Sequence, residues 1–213
     1  MAQCRITEIF YSLQGETRTV GLPTVFVRLT GCPLRCGYCD TAYAFHGGEK
    51  REINDIVDEV RRYNPRYVTV TGGEPLAQKT CHELLSALCD HDFEVSLETS
   101  GAIDISAVDS RVVCVMDLKT PASGEESKNK YDNIEYLKRN DQVKFVICDR
   151  NDYDWACQKV SEYHLAERCE ILFSPIHGKL EPTKLADWII EDNLAVRMQI
   201  QMHKYLWGDE QGR

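Results

Sequence analysis

The chain has 213 residues, with 25 Lys plus Arg against 34 Asp plus Glu, a formal net charge of −9. That length supports one substantial core, and the lack of a Pro/Gly/Ser-rich linker predicts a single domain over residues 1–213. The acidic balance argues against a large phosphate-binding face, and hence against nucleic acid as a partner, and no apolar run approaches the ~18 residues of a membrane span.

The chain opens MAQCRITEIF, without the basic start and continuous apolar core of a signal peptide, so the expected location is the cytoplasm. Residues 24–29 form the first β-rich apolar run, followed by three cysteines on a short polar stretch. Ile53, Ile56, Val57 and Val60 then mark an amphipathic core helix, with Asp55, Asp58, Glu59 and Arg61 on its remaining faces. A strand is predicted at 67–70, ending in Gly72-Gly73-Glu74-Pro75, and Leu84, Leu85 and Leu88 repeat the helical stripe. Further strands are predicted at 94–98, 112–117, 143–148, 170–173 and 196–202, with a helix behind Pro182 carrying Leu185, Trp188 and Ile189. Alternating strands and helices imply a parallel sheet, either open and doubly wound or a complete or partial barrel. Residues 119–136 are polar and charged, a surface loop or a lid.

In such folds sites form at the carboxyl ends of strands, where this chain places its cysteines, Gly72 to Pro75, Thr99-Ser100 and Lys119. Of ten cysteines, Cys4, Cys81, Cys89, Cys114, Cys148, Cys157 and Cys169 are scattered singly, mostly in apolar segments, where cysteine packs as a small hydrophobe. Cys32, Cys36 and Cys39 differ: they lie within eight residues of one another. Three thiolates on one loop suit three corners of a 4Fe-4S cluster, leaving one iron open to an external ligand. The other readings are a zinc site that recruits Cys4 or a histidine, and cysteines that merely pack in a turn. The paired glycines at 72 and 73 would let a ligand approach the backbone closely, with Glu74 as an anionic acceptor.

The three-then-two cysteine spacing, with Tyr38 before the last cysteine and Thr71-Gly72-Gly73-Glu74-Pro75 downstream, resembles the radical S-adenosylmethionine (SAM) superfamily. Within it the chain is similar to the 7-carboxy-7-deazaguanine synthase family, from Ile9 to Glu16, through Val25 to Cys32, Cys39 to Thr41 and Glu98 to Gly101, to Gln201 to Leu206. The resemblance implies an α/β fold, a partial (β/α)6-type TIM barrel. It also implies ring contraction of 6-carboxy-5,6,7,8-tetrahydropterin, with release of ammonia, to 7-carboxy-7-deazaguanine in queuosine and 7-deazapurine biosynthesis. On this resemblance Leu13, Gln14, Gly15, Arg28 and Thr71 belong to the pterin pocket. Tyr38, Gly73, Lys119 and Ser174 belong to SAM, Cys32, Cys36 and Cys39 hold the cluster, and Thr41 holds Mg2+. An electron donor such as flavodoxin and a homodimer are also implied.

Chemistry is compatible with these roles: Arg28 suits a carboxylate fork, and the Gln14 amide can donate and accept along a pterin edge. Where the family often shows Ser-Pro-Lys and Gln-Pro, this chain has Asp117-Leu118-Lys119 and Ser174-Pro175, and its tail beyond Leu206 runs longer than some members'. The rival readings are a glycyl-radical activating enzyme, which acts on a protein backbone, and a noncatalytic iron-sulfur or zinc module.

Overall fold

The computed structural model describes residues 2–213. Nine strands form one sheet: β1 (Gln3–Leu13), β2 (Pro23–Leu29), β3 (Glu49–Glu52), β4 (Tyr67–Gly72), β5 (Glu94–Thr99), β6 (Val113–Asp117), β7 (Gln142–Ile147), β8 (Glu170–Pro175) and β9 (Arg197–Met198). Their order is β3-β1-β2-β4-β5-β6-β7-β8-β9. Pairing from β2 through β9 is parallel throughout, whereas β1 runs antiparallel to both β2 and β3. The sheet is open, and its six consecutive parallel strands β2, β4, β5, β6, β7 and β8 are the expected partial (β/α)6 arrangement.

Two predicted core helices are found as α1 (Ile53–Arg62) and α2 (Cys81–Asp90). Ile56, Val60, Leu84, Leu85 and Leu88 are fully buried, each contributing roughly 1.5–3 kcal/mol through removal of apolar surface from water. The helix behind Pro182 is α5 (Pro182–Glu191), with Leu185 buried. Strand and helix do not alternate throughout, however. The β5-to-β6 connection has no helix, and residues 119–136 between β6 and β7 fold as three short 3-10 turns. Pro121, and Gly124 at φ 74°, interrupt any continuous helix there. This segment is not a free lid, because Ser123, Asn133 and Ile134 are buried.

Three elements escaped the hydrophobic pattern: β1, β3 and α3 (Arg150–Glu162), which is followed by the one-turn α4 (Leu165–Arg168). The predicted strand at 196–202 is confined to the two residues of β9, after which the chain turns into α6 (Met202–Trp207). Here the Gln199 side chain leaves the sheet edge, its Oε1 accepting from Thr17 N at 2.9 Å.

Candidate active site

An open cavity of about 820 Å³ lies at the carboxyl ends of the parallel strands. Cys32, Cys36, Tyr38, Cys39, Asp40 and Thr41 reach it from the loop after β2, and Thr71 to Gly73 from the end of β4. Glu98, Asp117 and Lys144 line it from β5, β6 and β7, while residues 13–16 and 201–213 close its other side.

The cysteine loop is held by backbone contacts. Gly31, at φ 99°, donates to Ala44 O (2.8 Å), while its own carbonyl accepts from Glu74 N (2.8 Å). This close packing explains the paired glycines: a Cβ at Gly73 would lie 2.3 Å from Gly31 O, and one at Gly72 2.2 Å from Leu29 O. The second motif is thus glycine-rich so that it can sit against the cysteine loop, rather than only to admit a ligand. Glu74 is likewise not a ligand acceptor. It is fully buried, and its carboxylate accepts from Leu76 N (3.0 Å), Thr99 Oγ1 (2.9 Å), Ser100 N (2.6 Å) and Ser100 Oγ (2.5 Å), tying the ends of β4 and β5 together.

All ten cysteines are free thiols. Burial pushes Cys32, Cys36 and Cys39 above the ordinary thiol range, with the Lys119 ammonium acting in the opposite direction on each. Cys4, the proposed fourth zinc ligand, is buried across the sheet with its Sγ 3.4 Å from Thr80 Oγ1 and does not line the cavity. Among the described residues no three His, Cys, Asp or Glu side chains converge on a single-ion site. A cuboidal cluster makes no such demand, because each thiolate takes a different iron.

A row of charges that hydrophobic periodicity could not reveal crosses the cavity floor. Lys144 Nζ pairs with Glu16 Oε2 (2.7 Å) and stands 3.7 Å from Asp117 Oδ2, which also pairs with Lys119 Nζ (3.0 Å). Desolvation opposes the charge on both lysines, but Glu16 and Asp117 for Lys144, and Asp117 for Lys119, outweigh it and raise both above the ordinary ammonium range. Glu98 accepts from Gln14 Nε2 (3.2 Å) and Thr71 Oγ1 (2.9 Å); desolvation prevails there and pushes its carboxyl above the usual range despite Lys144. The alternation of β5 and β7 places Glu98 and Lys144 on the cavity face.

The expected pocket residues Leu13, Gln14, Gly15, Arg28 and Thr71 all line this cavity, as do Tyr38, Gly73, Lys119 and Thr41. Ser174 does not: it is buried within β8, and the wall beyond that strand is made by Ile176, His177 and Lys179. Gln14 is more constrained than its chemistry alone suggested, since its Oε1 accepts from Glu16 N (3.2 Å) and its Nε2 donates to Thr69 and Glu98. Arg28 donates through Nε to Glu8 Oε1 (2.7 Å), an atom that also accepts from Tyr43 OH (2.7 Å). Thr41 Oγ1 donates to Asp40 Oδ1 (2.8 Å). Desolvation opposes ionisation of Asp40, but Thr41 and the nearby Lys144 and Lys204 together hold it below the usual carboxylate range.

One buried polar atom on the cavity wall, Asp117 Oδ1, has no hydrogen-bond partner among the described residues, and the Tyr38 hydroxyl beside it meets at most Thr120. Unpaired groups of this kind are costly unless a ligand meets them, so the wall is chemically suited to a polar cofactor. An open parallel sheet, three free thiols on a loop after its first parallel strand and a polar cavity beside them define a radical SAM protein, and residues 26–110 match the Radical SAM superfamily. The superfamily uses a 4Fe-4S cluster and SAM, and the thiol set and the polar wall fit both.

Over 98% of its length the chain is 43% identical to 96% of the 7-carboxy-7-deazaguanine synthase of Chlorobaculum tepidum. It is 41% identical to the protein of the same name from Methanospirillum hungatei, over 95% of this chain and 85% of that one. QueE from Escherichia coli shares the fold, with a TM-score of 0.79 at 24% identity over 94% of this chain and 95% of that one. The chain belongs to the 7-carboxy-7-deazaguanine synthase family.

Proposed function

We propose that the chain converts 6-carboxy-5,6,7,8-tetrahydropterin to 7-carboxy-7-deazaguanine by radical ring contraction with loss of ammonia. The observation that carries this reading is the 43% identity to a synthase of that name across 98% of the chain. Cys32, Cys36 and Cys39 hold the cluster, and Tyr38, Gly73 and Lys119 serve SAM. When bound, the cluster and SAM would supply the radical chemistry that the ring contraction requires.

The chain's own residues orient the substrate. Arg28, steadied through Nε by Glu8, has both Nη nitrogens without a protein acceptor among the described residues and offers them to the pterin carboxylate. Gln14 and Thr71 act largely through Glu98, each donating to one of its carboxylate oxygens and fixing the group at the cavity floor. Lys144, kept charged by Glu16 and Asp117, presents a fixed ammonium at the cavity floor to an acceptor on the substrate. Leu13 and Gly15 shape the wall beside His203, and the 201–213 segment restricts water at the mouth.

Mg2+ belongs at Thr41, with the Asp40 carboxylate beside it. Such hard oxygens suit a cation that keeps several waters and completes its shell from substrate. The proposal includes one domain over residues 1–213, a homodimer, a cytoplasmic location and a low-potential electron donor of the flavodoxin kind. Among the described residues no helix is long and apolar enough to cross a membrane.

The test is anaerobic reconstitution with dithionite, SAM and Mg2+, measuring 5'-deoxyadenosine and the deazaguanine product with and without the pterin. Turnover that disappears in Cys36→Ala is the expected result. SAM cleavage without pterin conversion would overturn the substrate, and an intact SAM pool on a loaded cluster would overturn the enzyme.

A further inference from the structure

Beyond Lys119, the segment 120–136 has no part in the reaction described above, yet side-chain hydrogen bonds fasten it on two sides. The Asn129 side chain accepts from Lys119 N (2.8 Å) and donates to Lys119 O (2.9 Å). The Asn133 amide donates to Gly101 O (3.0 Å) and Ile103 O (2.8 Å). On the other side, Ala122 N donates to Asp152 Oδ1 (2.9 Å) and Trp155 Nε1 to Glu126 Oε1 (2.9 Å), fixing the segment to α3.

From this frame two acceptors reach the cysteine loop. Ser123 O accepts from Gly37 N (3.0 Å), and Glu125 Oε1 accepts from Arg35 N (2.6 Å). Arg35 and Gly37 are the residues on either side of Cys36. The Arg35 guanidinium turns back onto Cys32 O (2.7 Å) and Leu34 O (2.6 Å) and lies 4.3 Å from the Phe45 ring centroid, so it does not pair with Glu125. Glu125 thus spends its charge on a backbone N–H in the middle of the cysteine loop. Hydrogen bonds to cluster sulfurs and the net charge around them set iron-sulfur potentials.

We propose that Glu125 is a positioning residue of the radical centre: its carboxylate fixes the Arg35 N–H beside Cys36, keeps that donor from the cluster sulfurs and places a negative charge nearby. It thereby seats the cluster and lowers its reduction potential. This rests on Cys32, Cys36 and Cys39 being the cluster ligands.

The full chain is reconstituted as wild type, Glu125→Gln and Glu125→Ala, and two quantities are read: the midpoint potential by EPR-monitored titration and the rate of iron loss to a chelator. Gln keeps an acceptor at the same reach but removes the charge, so its potential moves positive while iron loss stays near wild type. Ala removes both, so its potential moves positive and iron leaves roughly fivefold faster, the consequence of one lost net hydrogen bond. The remaining fastenings at Asn129, Asn133 and Glu126 preserve the fold of either variant. Wild-type potential in both variants overturns the proposal. A wild-type chain that assembles no cluster instead overturns the ligand assignment on which it stands.

Discussion

Gly15 is the point at which two distant segments of the cavity wall touch, and enlarging it tests whether their spacing matters. Met202 N donates to Gly15 O (3.1 Å), and a Cβ added at Gly15 would lie 2.5 Å from His203 Nδ1 and 3.2 Å from His203 N. Ordinary contact requires at least 3.4 Å, so Gly15→Ala must move the imidazole by about 1 Å and press the start of α6 outward by a few tenths of an ångström. Two costs follow. Overpacking of this size destabilises by roughly 1–3 kcal/mol, which lowers Tm by about 2 to 10 °C in a chain of this length. Misplacement by about 1 Å at a reacting site reduces turnover on the order of a hundredfold. The assay is kcat/KM for pterin conversion on fully loaded enzyme, at a temperature where thermal melts show the variant folded. Unchanged kcat/KM in a folded variant would refute the claim that the wall of residues 13–16 and α6 positions the substrate.

Glu74 and His203 provide two further tests. Glu74→Gln places an amide NH2 among the donors of Thr99, Ser100 and Leu76, leaving buried donors unsatisfied; the expected loss is about 2–3 kcal/mol, visible as a Tm roughly 5 to 10 °C lower, and an unchanged melt would contradict the assignment. His203 has its pKa lowered by burial, against the pull of Glu16 and Asp40. The unfolded chain therefore takes up the proton first as pH falls below the ordinary imidazole value, and the stability of wild type falls relative to His203→Asn across that window. Paired melts between about pH 7.5 and pH 5 measure it, and parallel curves would count against the burial.

Much of the site was legible because its residues follow the ends of strands that announce themselves by apolar runs. Cys32 to Cys39, Thr71 to Gly73 and Lys119 could be placed at one mouth from order alone, and all line the same cavity. Ser174 shares the inward face of the sheet with its register partner Val146, which lines the cavity, but is itself covered, and Ile176, His177 and Lys179 form the wall beyond it. In α3 the missed signal was local: Asp149 caps the helix by accepting from Asp152 N (3.0 Å), a recognisable start for a helix whose apolar stripe is weak. The contacts of β1 with β2 and β3 are antiparallel and lie outside the repeating strand-helix pattern that organised the rest.

The charge row was illegible for a different reason. Lys144 and Glu16 are 128 positions apart, and each taken singly reads as an ordinary exposed residue. Their pairing depends on the 13–19 segment crossing over β7 and β8, a path fixed by Arg18 N donating to Gln142 Oε1 (3.1 Å) and Thr17 N to Gln199 Oε1 (2.9 Å). These contacts place Glu16 above Lys144, so the residues that close the cavity also supply the counter-charge that keeps its lysine protonated. Closure and electrostatics are therefore one structural feature. A displacement of residues 13–19 would both admit water and strip Lys144 of its nearest carboxylate, leaving desolvation to oppose the ammonium with less to counter it.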